Sequence, residues 1–106
     1  MLSSSSSDKK KLNDIKKIRA HLFIQGKVQG VYFRQNTMIM AARYGVTGWV
    51  RNLKNGGVEV ILEGSEMDVR KIIEWCHVGP PKATVNDFVI EYENYIGEFQ
   101  EFKVIY

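Results

Sequence analysis

The chain has 106 residues, 44% apolar and 25% charged, with a formal net charge of +3 and one cysteine. That length suits a single domain around one two-layer core, no apolar run reaches the roughly 20 residues of a membrane-spanning helix, and a lone cysteine excludes an intrachain disulfide. Residues 1–19 hold six of the fifteen basic residues and two of the twelve acidic ones, leaving nine basic against ten acidic beyond them. A nucleic-acid-binding body would carry its positive charge on the docking face; this body is nearly neutral, so neither a nucleic-acid nor a membrane partner is expected. The N-terminus has no apolar run behind its charges, unlike a secretory signal, and with Cys76 alone nothing calls for an oxidising compartment. A cytoplasmic protein is expected.

Residues 1–17 read as a disordered tail, with a serine run (Ser3–Ser7), a lysine run (Lys9–Lys11) and few apolar groups to bury. Residues 18–106 read as one domain. Ala20, Leu22 and Ile24 alternate with His21, Phe23 and Gln25, the period of a strand. A loop with glycine near both ends, Gly26 to Gly30, follows. Phe33, Thr37, Met40, Ala41 and Tyr44 recur at helical spacing, and Gly45 suits a C-terminal cap. Val46–Asn52 reads as a second strand, Asn55-Gly56 as a hairpin turn, and Val58, Val60 and Leu62, alternating with Glu59, Ile61 and Glu63, as a third strand. Ser65 and Asp68 open a second helix whose apolar stripe is Val69, Ile72, Ile73 and Cys76, and Gly79-Pro80-Pro81 ends it. Val85–Tyr92 forms a fourth strand, and Phe102, Val104 and Tyr106 suggest a short fifth. The order βαββαβ, with the extra strand, predicts an α+β, ferredoxin-like sandwich: one antiparallel sheet with two helices on a single face. Such a fold hosts many activities, so function has to come from particular residues.

The segment Gly26-Lys27-Val28-Gln29-Gly30-Val31 joins a strand to a helix. Such a loop either simply connects or turns several backbone N–H groups into one concavity, a nest for an anion, with the positive end of the following helix beside it. Arg34 falls in that helix's first turn, where a cation opposes the helix dipole. It is either a solvated surface arginine or one half of a phosphate site, where its planar fork can grip two oxygens. Asn52 ends the second strand, where it either shapes the adjacent turn or holds a water beside a bound anion. His21 and His77 read as structural and Cys76 as a buried small hydrophobe. No His/Cys cluster has metal-ligand spacing, so no metal or cofactor is expected. Phe23, Trp49 and Tyr92 read as strand packing rather than an RNA-stacking face.

Ile24 to Arg34, IQGKVQGVYFR, resembles the first signature of the acylphosphatase family, and Gly48 to Gly64, GWVRNLKNGGVEVILEG, resembles the second. Both match at every defined position. Gly79-Pro80-Pro81-Lys82-Ala83 is similar to the family's segment before the fourth strand, and the likeness spans residues 18 to 106. The resemblance implies metal-free hydrolysis of acyl phosphates to a carboxylate and inorganic phosphate. It maps the phosphate cradle onto Gly26–Val31, the phosphate-binding arginine onto Arg34 and the water-orienting asparagine onto Asn52. Inorganic phosphate or sulfate should bind as product or mimic, and a small stand-alone monomer is the simplest form. A phosphate-sensing module without chemistry and an RNA-binding domain are the competing readings.

Overall fold

The alternation of the first strand sets up the whole sheet. In the computed structural model, which describes residues 16–106, β1 (Lys17–Lys27) buries Ala20, Leu22 and Ile24 completely. Helix α1 (Phe33–Tyr44) turns Phe33, Thr37 and Ala41 inward. It stops at Gly45, whose φ of 68° is the left-handed cap conformation that glycine adopts without a Cβ clash. Strands β2 (Thr47–Asn52) and β3 (Val58–Ser65) follow. Helix α2 (Glu66–Cys76) then starts at Ser65, whose Oγ accepts the Asp68 N–H at 3.4 Å and donates to Asp68 Oδ2 at 2.7 Å. Its stripe of Val69, Ile72, Ile73 and Cys76 is buried as the spacing predicts. β4 (Thr84–Glu93) and β5 (Phe102–Ile105) complete the chain.

The sheet order is β4-β1-β3-β2-β5. One core joins both helices to Ala20, Leu22 and Ile24 of β1, Val58, Val60 and Leu62 of β3 and Val50 of β2. Each such valine, leucine or isoleucine side chain contributes about 1.5–3 kcal/mol on burial. This is the ferredoxin-like sandwich expected, with one difference. β5 runs parallel to β2, with Val104 opposite Val50, so the five-stranded sheet is mixed rather than antiparallel throughout. The parallel direction follows from residues 94–101, which cross the outer sheet face from β4 to the far edge, where Glu101 O accepts the Gly48 N–H at 3.1 Å.

That crossing buries what alternation alone leaves outside. The Glu63 carboxylate is enclosed, accepting the N–H groups of Ile96 (2.8 Å) and Gly97 (3.2 Å) and an Arg19 N–H at 3.2 Å. Burial opposes the charged form, yet these donors hold the Glu63 pKa below its ordinary value.

The tail expected over residues 1–17 lies almost wholly outside the described residues. Of the described part, Lys17 already pairs with Ser65, and Lys16 O accepts the Glu66 N–H at 2.9 Å. Among the described residues no helix is long and apolar enough to cross a membrane.

Candidate active site

Three chain segments leave the sheet at one end: the connection from β1 to α1, the end of β2 and the end of β5. Between the first two lies a cavity of about 230 Å³ lined by Val28, Gly30, Tyr32, Phe33, Arg34, Gln35 and Asn52. Arg34 and Asn52, singled out from the sequence for different local reasons, therefore line one cavity.

The strand runs further than its sequence pattern suggests. Gly26 and Lys27 belong to β1 and pair with Val85 and Thr84 after a register shift at Gln25/Gly26. Glycine is required at that shift, because a Cβ on Gly26 would stand 2.1 Å from Thr84 O. The loop proper is thus residues 28–32, pinned by the buried Val28 and Val31. Of the six cradle residues expected, Val28 and Gly30 are among those lining the cavity. Gln29 acts elsewhere, its Nε2 donating to Leu53 O at 2.7 Å and to Gly57 O at 2.8 Å. It ties the loop to the β2–β3 turn that follows Asn52, a role that no local sequence signal announces.

The loop ends on Tyr32, the only non-glycine residue with positive φ among the described residues (φ 64°). A left-handed backbone costs a bulky L-residue about 1–2 kcal/mol. It aims the chain into α1 with no side-chain cap and no acidic residue in the first turn. The first intrahelical bond there is Asn36 N–H to Tyr32 O at 3.1 Å, so the preceding N–H groups have no intrahelical acceptor. These groups and the positive end of the helix dipole favour negative charge at this end of α1.

Arg34 is half-buried in the cavity lining and, among the described residues, has no ion pair or hydrogen bond. Its one aromatic contact is Tyr106, whose ring centroid lies 4.8 Å from the guanidinium carbon. Asn52 is the last residue of β2, opposite Val58. Its Oδ1 is the one fully buried side-chain polar atom without a hydrogen-bond partner among the described residues. Leaving a buried acceptor unpaired costs about 1–3 kcal/mol. The turn after it closes through Leu53 N–H to Gly57 O (2.8 Å) and Gly57 N–H to Asn55 Oδ1 (2.9 Å). The turn needs Asn55 and Gly56, but not the Asn52 side chain.

A second polar cluster occupies the outer sheet face. His21 Nε2 lies 2.6 Å from Glu59 Oε2, its Nδ1 lies 3.3 Å from Glu93 Oε2, and Arg51 donates to Glu59 Oε1 at 2.7 Å. Burial disfavours the charged Glu59, and the bonds from His21 and Arg51 outweigh it, lowering its pKa. Cross-strand pairing of His21 with Glu91 also gathers His21, Glu91 and Glu93, with ligand-type atoms within 4.8 Å of one another. Spacing along the chain could not reveal that group. Both His21 nitrogens and Glu93 are nonetheless engaged within the protein, Glu93 by Arg19 at 2.9 Å. The face is acidic, the opposite of what a phosphate backbone requires. His77 stacks on Phe88 with centroids 3.8 Å apart, and burial pushes the Cys76 thiol pKa up, away from reactivity.

The sequence model described as "Acylphosphatase" matches residues 20–104. An acylphosphatase of Pyrobaculum arsenaticum is 56% identical over 88 residues, covering 82% of this chain and 93% of that one. An acylphosphatase of Pelotomaculum thermopropionicum is 48% identical over 88 residues, covering 83% and 96%. The crystal structure of the Bacillus subtilis acylphosphatase superposes with a TM-score of 0.80 at 28% identity, covering 84% of this chain and 99% of that one.

Proposed function

The chain belongs to the acylphosphatase family and is an acylphosphatase enzyme, and from that premise we propose how its cavity hydrolyses acyl phosphates. The phosphoryl group sits against the N–H groups of the 28–35 segment, and Arg34 grips two of its oxygens through its planar fork. A water donates one hydrogen bond to Asn52 Oδ1, which orients it for in-line attack on phosphorus. The new P–O bond forms as the bond from phosphorus to the acyl oxygen breaks, and the carboxylate leaves with the electron pair. Its conjugate acid has a pKa near ~4, so no catalytic acid is required. The attacking water's proton passes to a phosphate oxygen. Positioning and charge stabilisation supply the catalysis, without a metal.

The observation that carries this reading is that Asn52, whose buried Oδ1 has no hydrogen-bond partner among the described residues, lines one cavity with an arginine lacking any carboxylate partner among them. The chemistry makes the substrate a small acyl phosphate, and phosphate or sulfate should compete for the same cavity. The lone, buried Cys76 suits a reducing compartment, in keeping with a cytoplasmic enzyme. Hydrolysis of benzoyl phosphate in ¹⁸O-labelled water tests the scheme. The label should enter inorganic phosphate; label in benzoate would mean attack on carbon and contradict it.

A further inference from the structure

Arg34, Asn52 and the helix N–H groups account for a phosphoryl group and its water, and none of them selects the acyl group. Two exposed aromatic side chains lie near Arg34, one lining the cavity and one against the guanidinium itself. Tyr32 lines the cavity with 71% of its surface exposed. It occupies a left-handed backbone position that glycine or asparagine fills with less strain, and its ring gains little core packing in return. Tyr106 is 91% exposed and lies against the cavity arginine. Topology puts it there: β5 runs parallel to β2 with Ile105 opposite Arg51, so Tyr106 and Asn52 leave the sheet at the same end.

Resting on the reading of the cavity as the phosphoryl site, we propose that Tyr32 and Tyr106 form an aromatic rim that recognises the acyl group and favours flat, aromatic acyl phosphates over acetyl phosphate. Tyrosine rings are large, have few torsions to freeze and accept other rings in offset or edge-to-face contact. Tyr106 holds its ring 4.8 Å from the Arg34 guanidinium carbon, and neither of the guanidinium's N–H edges is taken by a hydrogen bond among the described residues. A backbone strain retained at a ligand cavity for the sake of an exposed side chain is the signature of a functional position.

The test compares kcat/KM for benzoyl phosphate and acetyl phosphate in the wild type, Tyr32→Asn and Tyr106→Ala, with Tyr32→Phe and Tyr106→Phe as ring-keeping controls. Asparagine tolerates the left-handed backbone, and both side chains are exposed, so the variants should keep the wild-type melting temperature. The benzoyl-to-acetyl ratio should fall about 3- to 10-fold in each ring-deleting variant and stay near wild type in the phenylalanine variants. Equal losses on both substrates would mean that Tyr106 only holds Arg34, and would overturn the proposal. So would a ratio that fails to move in either ring-deleting variant, or one that falls in the phenylalanine variants as well. A wild type that hydrolyses neither substrate would instead overturn the phosphoryl-site reading beneath it.

Discussion

Arg34 and Asn52 line one cavity from two different elements, the first turn of α1 and the last residue of β2. The arginine has no hydrogen-bond partner among the described residues, and the asparagine carries a buried acceptor with none. Only the buried acceptor is an unusual feature of a folded protein, one that asks for a partner. In the proposed mechanism, phosphate held by the arginine and water held by the asparagine would complete both.

Arg34→Ala should abolish turnover and weaken inorganic phosphate binding by more than ~10-fold, since a charge-assisted hydrogen bond contributes about 1.5–3 kcal/mol and two are lost. The melting temperature should hardly change, because the side chain anchors nothing but the Tyr106 contact. Arg34→Lys should recover only part of the binding, as a point charge lacks the fork. Titration calorimetry with phosphate, beside turnover and thermal melts, checks these statements.

Gln29→Leu should damage the enzyme without touching the cavity. It leaves the carbonyls of Leu53 and Gly57 without their side-chain donor and unties the loop from the turn that follows Asn52. A stability loss of about 1–3 kcal/mol is expected. A fall in kcat of roughly tenfold or more should accompany it, since small misplacements of reacting groups are costly. Urea unfolding and steady-state rates on one preparation test this; an unchanged kcat would show that the loop keeps its shape alone.

Stability should fall on the acid side through Glu63 and Glu59. Both have pKa values lowered in the folded state, so the unfolded chain binds protons first. The stability they provide is complete above the unfolded value of about 4.3 and is lost as pH falls through the folded value. Glu63→Gln should therefore be less stable than wild type at pH 7, with the gap narrowing as pH drops below about 4.3. Parallel urea-unfolding curves at all pH values would contradict this.

Activity should persist in EDTA, because the proposed mechanism needs only Arg34, the helix N–H groups and Asn52. Loss of turnover in EDTA with recovery on adding Mg²⁺ or Zn²⁺ would place a metal in the chemistry.

Much of this was legible in the sequence, for reasons that are local. Ala20, Leu22 and Ile24 alternate because one face of β1 is core; Val69, Ile72, Ile73 and Cys76 recur because one face of α2 is. Gly45 and Ser65 announce helix ends through their own chemistry. What was not legible depends on partners distant in the chain. Glu59 and Glu63 read as the polar half of a strand, and Glu63 is enclosed only by residues 94–101, crossing from far along the sequence. Gly26 and Lys27 read as loop because glycine marks both bulges and turns. The left-handed Tyr32 and the loop-to-turn bonds of Gln29 have no compositional signal. The two motifs placed Arg34 and Asn52 in one functional context, but Tyr106 enters it only through the parallel pairing of β5 with β2, which a four-residue strand does not declare.

Asn52→Ala, assayed for kcat and inorganic phosphate affinity on the same folded protein, tests the central claim most directly. If Asn52 Oδ1 orients the attacking water, its contribution falls in the transition state. Then kcat should drop by on the order of 10²-fold or more while phosphate affinity stays within a few-fold. The Leu53–Gly57 turn does not use its side chain, so the melting temperature should hold. A folded Asn52→Ala protein with near-normal kcat would contradict the account.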